Sequence, residues 1–284
     1  MKALHFENND REFLLTKESA NFLSKIAYDY AGIWIDPSRE YYFYHRLLKR
    51  IQLLNLPSFE AYCALLEEKG ANELDMYINA ITTNVTSFFR EEIHFEYVAS
   101  DIIPTLLKKN SLSHQIRIWS AGCSSGEEAY SIAITVAESM PVDSVWNVKI
   151  LATDINSFVL DVAKIGIYEE EAIDYLTQQQ KQHFFLKGTG QNQGKVIVKP
   201  ELAKMITFNR LNLVTSWPMK SRFDVIFCRN VIIYMNKETQ RSLISKFSAF
   251  LNPGGYLIIG NAESIIDITN DFKLIKNSVY QKKG

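Results

Sequence analysis

From Arg117 to the C-terminus, apolar runs of strand length alternate with helical stretches, and that alternation leaves few folds open. Arg117-Ile118-Trp119-Ser120, Val148-Lys149-Ile150-Leu151-Ala152-Thr153, Met205-Ile206-Thr207-Phe208, Phe223-Asp224-Val225-Ile226-Phe227-Cys228 and Gly255-Tyr256-Leu257-Ile258-Ile259 read as strands. Helices are expected through Ala137, after Asn156 and from Lys237 to Phe250. Strands joined by helices need crossover connections, so these strands should lie parallel in one sheet. The final pair differs. Phe272-Lys273-Leu274-Ile275 and Ser278-Val279-Tyr280 are separated only by Lys276-Asn277, a link that forces antiparallel pairing. One segment breaks the alternation: Phe184–Lys187 and Lys195–Val198 flank a turn containing Gly188, Gly190 and Gly194, which reads as a β-hairpin inserted between the second and third strands.

Before this region the chain reads as helical. Thr16 caps a helix carrying Phe22, Leu23, Ile26, Ala27 and Tyr30 at helical spacing, with Gly32 as its stop. A second helix is expected from Ser38 to Leu54, with the stripe Tyr44, Leu47, Leu48, Ile51 and Leu54. Ser58 and Asn72 are N-cap candidates for two shorter helices, and Pro104 bends or ends a helix beginning near Glu91. The expected organisation is an all-α domain over residues 1–80, a linker and helix over 81–115, and an α/β domain over 116–284 with a β insertion at 178–200.

Composition narrows the classes. With 47% hydrophobic and 22% charged residues in 284, the chain is an ordinary globular one, and its net charge of −1 gives no field for nucleic acid. No apolar run reaches the ~18 residues a membrane helix needs, and the N-terminus has no signal core. Three scattered cysteines, Cys63, Cys123 and Cys228, suit neither a disulfide framework nor a zinc site. A reduced, cytoplasmic, soluble protein without metal is expected.

Ligands of an open parallel sheet bind outside the carboxyl ends of its strands. The first strand ends in Ser120-Ala121-Gly122-Cys123-Ser124-Ser125-Gly126-Glu127-Glu128, the second in Asp154, the third is soon followed by Asn212, and the fourth ends in Cys228-Arg229-Asn230. The first loop has small residues that let backbone approach a ligand, but it lacks G-x-G-x-x-G and the Gly-Lys-Ser/Thr of a phosphate loop. Its two glutamates open the next helix, where they repel a pyrophosphate and tolerate a cation; the plain alternative is a tight turn. Asp154 is placed either to accept ribose hydroxyls or to cap the following helix. A nucleoside pocket without a phosphate cradle suits S-adenosylmethionine, which combines an adenosine, an amino acid and a sulfonium. No histidine stands close in sequence to Cys123 or Cys228, which favours small wall residues over a nucleophile. The Asn/Asp-Pro-Pro-aromatic signature of amino methylation is absent at the fourth strand end, which disfavours nucleic-acid methylation.

Thr82-Thr83-Asn84-Val85-Thr86-Ser87-Phe88-Phe89-Arg90-Glu91 resembles the T-x-N-x-T-x-F-F-R-E signature of CheR-type chemotaxis receptor methyltransferases. Ile118–Glu128, Ala152-Thr153-Asp154-Ile155, Phe223–Val231 and Ile233-Tyr234 extend the resemblance in order along nearly the whole chain. Ala129 departs from the proline usual after the two glutamates, a small loss at a first helical turn.

The resemblance implies an all-α N-terminal domain joined to a Rossmann-like, S-adenosylmethionine-dependent methyltransferase domain with a small β-hairpin insertion. It implies methylation of glutamate side chains on cytoplasmic helices of chemoreceptors, by a protein-glutamate O-methyltransferase. Asn84, Thr86 and Arg90 would meet the cofactor from the linker side, Glu128 its methionine part and Asp154 its ribose or adenosine. Asn212, Leu213, Arg229 and Asn230 would line the remaining wall. Arg90 and Tyr234 would be catalytic, with Tyr234 beside the methyl group and Arg90 holding either the cofactor's carboxylate or the substrate's. Alternatives are the same chemistry on a receptor of a motility or biofilm pathway, or a non-catalytic scaffold that senses the cofactor.

Arg39, Phe43, Arg46 and Arg50 share one helical face opposite the Tyr44–Ile51 stripe, with Lys49 adding charge nearby. That face is either merely solvated or, as the resemblance suggests, a dock for acidic receptor helices. The hairpin at 184–198 is either a flap or, as in some family members, a strand edge that holds a receptor's tail peptide.

Overall fold

The computed structural model describes residues 13–35, 40–141 and 145–284. The chain divides into two compact units, residues 1–83 and 84–284.

The first unit is helical: α1 (Lys17–Ala31), α2 (Glu40–Leu53), α3 (Phe59–Lys69) and α4 (Ala71–Ile81). Thr16 accepts from the Ser19 amide at the start of α1, Gly32 ends that helix with φ 67°, and Ser58 caps α3. Asn72 is not a cap, because α4 begins one residue earlier, behind Gly70. Leu23, Tyr44, Leu47, Ile51, Phe59, Tyr62, Tyr77 and Ile78 form the buried interior.

The charged face expected on α2 is not a solvated one. Phe43 is buried, Arg46 donates to the Ile81 and Thr82 carbonyls at the end of α4, and Arg50 forms a two-pronged pair with Glu73 of α4 (Nε to Oε1 3.0 Å, Nη2 to Oε2 2.7 Å). Tyr62 donates to the same Glu73 carboxylate at 2.9 Å. Periodicity found the face, but its basic residues serve the α2–α4 interface. Of Arg46, Lys49 and Arg50, Lys49 alone is exposed, while Ser38 and Arg39 lie outside the described residues. Removing one partner strands the other, so Arg50→Ala is expected to cost roughly 3 kcal/mol of stability, read by denaturant unfolding of the full chain. A loss below ~0.5 kcal/mol would mean the pair behaves as an exposed one.

The second unit opens with α5 (Ile93–Tyr97), a π-helical turn over Val98–Ile102 and α6 (Ile103–Lys109). The wide turn comes just before Pro104, which has no N–H for an ordinary helical bond and stands in the first turn of α6. There follow β1 (Gln115–Ala121), α7 (Glu127–Ser139), β2 (Asn147–Asp154), α8 (Ser157–Ile165), β3 (Ile167–Glu169), α9 (Gln178–Phe184), β4 (Phe185–Lys187), β5 (Lys195–Val198) and α10 (Pro200–Ala203). The chain ends with β6 (Ile206–Arg210), β7 (Phe223–Cys228), α11 (Lys237–Phe250), β8 (Leu251–Ile259), β9 (Phe272–Lys276) and β10 (Val279–Lys282).

The main sheet runs β6-β2-β1-β7-β8-β10-β9. Its first five strands are parallel and the β9–β10 pair is antiparallel, as the sequence requires. The chain winds outward from β1 through β2 to β6, then returns to β7 on the other side of β1. In open sheets of this kind such a reversal, here between β1 and β7, is where ligands bind, outside the carboxyl ends of the strands. The hairpin belongs to a second sheet, β3-β5-β4, whose first strand carried too short a pattern to be seen in the sequence. Tyr168 of β3 and Phe185 of β4 turn inward and pack edge-on against Phe88, at ring separations of 5.0 and 5.6 Å.

Candidate active site

The site is built on backbone that only certain residues tolerate. Gly122 (φ 93°) sits just past β1, where a Cβ would fall 2.4 Å from Val231 Cγ2. The Gly122 and Cys123 amides both donate to the Thr153 carbonyl, at 2.8 and 2.9 Å, tying this loop to the end of β2. Gly126 (φ 99°) precedes α7, where a side chain would strike Ala163 and the Tyr168 hydroxyl.

Asp154 joins loop and strand. Its Oδ2 accepts from the Ser124 amide at 2.8 Å and its Oδ1 from the Asn156 amide at 2.9 Å. Asn156, not Asp154, caps α8, accepting from the Phe158 and Val159 amides. Burial pushes the Asp154 carboxyl up, and the backbone donors oppose that shift. Ser124 Oγ donates to the Asn84 carbonyl at 2.9 Å, which brings the segment carrying Asn84 and Thr86 to the loop. The Leu211 amide donates to the Asp154 carbonyl at 2.9 Å, so Asn212 and Leu213 continue directly from this point.

A second cluster surrounds Arg229, at the end of β7. Its guanidinium reaches Glu128 Oε2 (3.2 Å), Glu91 Oε2 (3.1 Å) and the Arg90 carbonyl. Phe95 lies under it at 5.3 Å. Glu128, the second residue of α7, also accepts from Ser120 Oγ at 2.7 Å. Burial pushes the Glu128 carboxyl up while Arg229 and Ser120 pull it down. At Glu91 burial acts upward too, but Arg229, the Asn261 amide and Asn230 hold the carboxyl below its ordinary value. His94 sits beside this pair, 1% exposed, with Nδ1 3.5 Å from Glu91 Oε2 and neither ring nitrogen hydrogen-bonded among the described residues. Burial, then Arg229, lowers its pKa to about 4, so it is neutral at pH 7.

Arg90 lies between two non-glycine residues in the left-handed region, Phe89 (φ 50°) and Glu91 (φ 56°). The turn is pinned by the Phe89 amide donating to Ser131 Oγ at 2.8 Å, and Arg90 Nη1 donates to the Val85 carbonyl at 2.7 Å. Tyr234, half-buried, ends a short 3-10 turn that follows Asn230. The residues singled out in the sequence therefore fall into two linked groups: Asn84, Asp154, Asn212 and Leu213 around the first loop, and Arg90, Glu128, Arg229 and Asn230 around the second. Thr86 and Tyr234 join them by chain proximity. Cys123 and Cys228 are buried with thiols pushed up by burial, as expected of wall residues rather than nucleophiles. No group of metal-ligating side chains occurs among the described residues.

Sequence reasoning assigned no role to Glu91, His94 or Glu263. Glu91 stood in the quoted signature, where its spacing carried no chemical cue. Glu263 lies in a loop without periodicity, and only the fold brings it to Asn230.

The donor set fits S-adenosylmethionine. Carboxylates stand at the start of α7, in Glu128, and at the end of β2, in Asp154, backbone approaches closely at Gly122, and the buried Arg229 Nε has no hydrogen-bond partner among the described residues. A parallel sheet with this reversal, with acids near its strand ends and lacking a phosphate loop, defines the class of S-adenosylmethionine-dependent methyltransferases. Comparison with known proteins gives the family. Residues 84–281 match the CheR methyltransferase, SAM binding domain, and residues 19–82 match the CheR methyltransferase, all-alpha domain. The chain belongs to the CheR methyltransferase family.

Among its relatives is the chemotaxis protein methyltransferase of Borreliella burgdorferi, 40% identical over 94% of this chain and 95% of that one. That of Klebsiella aerogenes is 40% identical over 91% and 87%. That of Escherichia coli is 38% identical over 91% and 88%.

Proposed function

We propose that this protein transfers a methyl group from S-adenosylmethionine to glutamate carboxylates on the cytoplasmic helices of chemoreceptors, giving methyl esters, and that it acts in the cytoplasm. What supports the reading is that, in a chain of this family, Arg229 ties Glu128 to the strained Arg90 turn while Asp154 holds the loop that leads into the helix of Glu128. No helix among the described residues is long and apolar enough to cross a membrane, which is consistent with action on the exposed part of a receptor.

When bound, S-adenosylmethionine supplies an electrophilic methyl on a positive sulfonium. Asp154 would grip the ribose hydroxyls, Glu128 the methionine end, and Asn84, Thr86, Asn212, Leu213, Arg229 and Asn230 the rest of the wall. A glutamate with a pKa of roughly 4.3 is already ionised at neutral pH, so no residue need remove a proton. Arg90 and Tyr234 are left to orient that carboxylate and keep water away, an alignment effect that contributes several kcal/mol of the ~7–11 available.

The receptor would be met by α2, where Lys49 offers exposed charge, and by the sheet containing the 184–198 hairpin. In that sheet β3 and β4 are the edges to which an extended tail peptide could add. The test is transfer of radiolabelled methyl from S-adenosylmethionine to receptor cytoplasmic fragments. Base-labile label on glutamates is expected; binding of the cofactor without transfer would favour a scaffold instead.

A further inference from the structure

We infer that Glu263 is a positioning residue for the methyl-transfer site, setting the loop from Asn230 to Tyr234; this rests on the function proposed above. Glu263 follows β8 and is 7% exposed. Its Oε2 accepts from the Asn230 amide (2.9 Å) and the Gly260 amide (2.6 Å), and its Oε1 from the Ile233 amide (3.2 Å). These partners are all backbone N–H groups. They bracket the loop: the first belongs to the residue after Arg229, in the left-handed region with φ 57°, and the last to the residue before Tyr234. A buried carboxylate collecting amides from two strand ends fixes the backbone between them, because releasing it would leave the buried Gly260 N–H without its partner and free both ends of the loop.

The surroundings are shaped to keep this arrangement. A Cβ on Gly260 would lie 2.6 Å from Asn230 Nδ2, 2.9 Å from Glu263 Oε2 and 3.0 Å from the Asn230 amide nitrogen. Only glycine lets the three groups come together. Asn230 is held from its other side by Glu91, which accepts from Nδ2 at 3.4 Å and from the Asn261 amide at 3.1 Å. Two acids thus hold one asparagine, Glu263 through its backbone and Glu91 through its side chain. Glu263 reaches Tyr234 only through this loop.

The test uses two variants of the full chain. Glu263→Gln turns an N–H2 toward donors, and Gly260→Ala crowds Asn230 while leaving the carboxylate in place. Measured for each are kcat and KM with a receptor fragment, S-adenosylhomocysteine affinity by calorimetry, and hydrogen exchange of peptides covering 229–235. Exchange in 229–235 is expected to rise with the β1 and β2 strands unchanged. In the same variants kcat should fall at least ten-fold, more than KM rises, with several-fold weaker product binding. Raised exchange with kcat and affinity within two-fold of wild type would overturn the inference. So would unchanged exchange, or an activity loss that only tracks the folded fraction. Gly260→Ala carries the test should Glu263→Gln not fold, and failure of both to fold overturns the inference, because the carboxylate would then be holding the domain rather than the site. A wild-type chain that neither binds S-adenosylhomocysteine nor transfers methyl overturns the proposed function itself, and this inference with it.

Discussion

Arg90→Ala should lower kcat for receptor methylation by about 100-fold or more, leaving the chain folded. The side chain projects from a turn whose flanking residues both occupy the left-handed region, a conformation that costs of order 1–3 kcal/mol at each and persists only where surroundings enforce it. Ser131 enforces it from α7 and Arg229 from β7, through the Phe89 amide and the Arg90 carbonyl. None of these bonds uses the Arg90 guanidinium, so alanine leaves the turn's backbone bonds intact. What alanine removes is the Nη1 bond to the Val85 carbonyl and, with it, a planar fork that can hold a carboxylate by charge-assisted hydrogen bonds of about 1.5–3 kcal/mol each. Two such bonds account for the expected loss. Arg90→Lys should recover little, since a single ammonium cannot reproduce the fork. Steady-state methyl transfer to a receptor fragment is the measurement, and activity of the alanine variant within a few-fold of wild type would refute the role.

For Asp154→Ala, calorimetry with S-adenosylhomocysteine should show affinity weakened by about 100-fold, close to 2.7 kcal/mol. Asp154 Oδ2 accepts the Ser124 N–H and Oδ1 the Asn156 N–H, and a carboxylate oxygen has more than one acceptor direction, which leaves room for ribose hydroxyls. Alanine removes both hydroxyl acceptors and also leaves the Ser124 amide without its partner at the tip of the first loop. The effect therefore combines a lost contact with a loosened loop. Asp154→Asn separates the two: it keeps the shape and one acceptor, and an intermediate affinity is expected. An alanine variant that binds within three-fold of wild type would remove Asp154 from the cofactor site.

The parts of the fold that could be read from the chain are those set by local pattern. The strand over Phe223–Cys228 and the helix over Lys237–Phe250 match the structure residue for residue, because a run apolar but for Asp224 and a capped amphipathic stretch are written in neighbouring positions. The three-residue strand Ile167–Glu169 was invisible, being too short to show a period and stabilised by a partner thirty positions away at Ile197. On α2 the helical spacing was right, and the alternative of a merely solvated face was not. Whether an arginine faces solvent or a buried glutamate depends on which helix packs against it, and Glu73 brought that answer from α4.

The candidate site divides along the same line. The sequence could single out Glu128, Asp154, Arg229 and Asn230 because a parallel sheet presents the ends of its strands on one side, so lying at or shortly after a strand end is already a spatial address. By itself, then, the sequence determined the parallel sheet, its strand ends and the family signature. The tertiary structure alone decided which acids meet which donors: Glu91 with Arg229 across 138 positions and Glu263 with the Asn230 loop across 33. The reason is physical. Secondary structure follows from interactions a few residues long, whereas the partner of a buried charge is fixed by how distant segments close around it, and no periodicity records that.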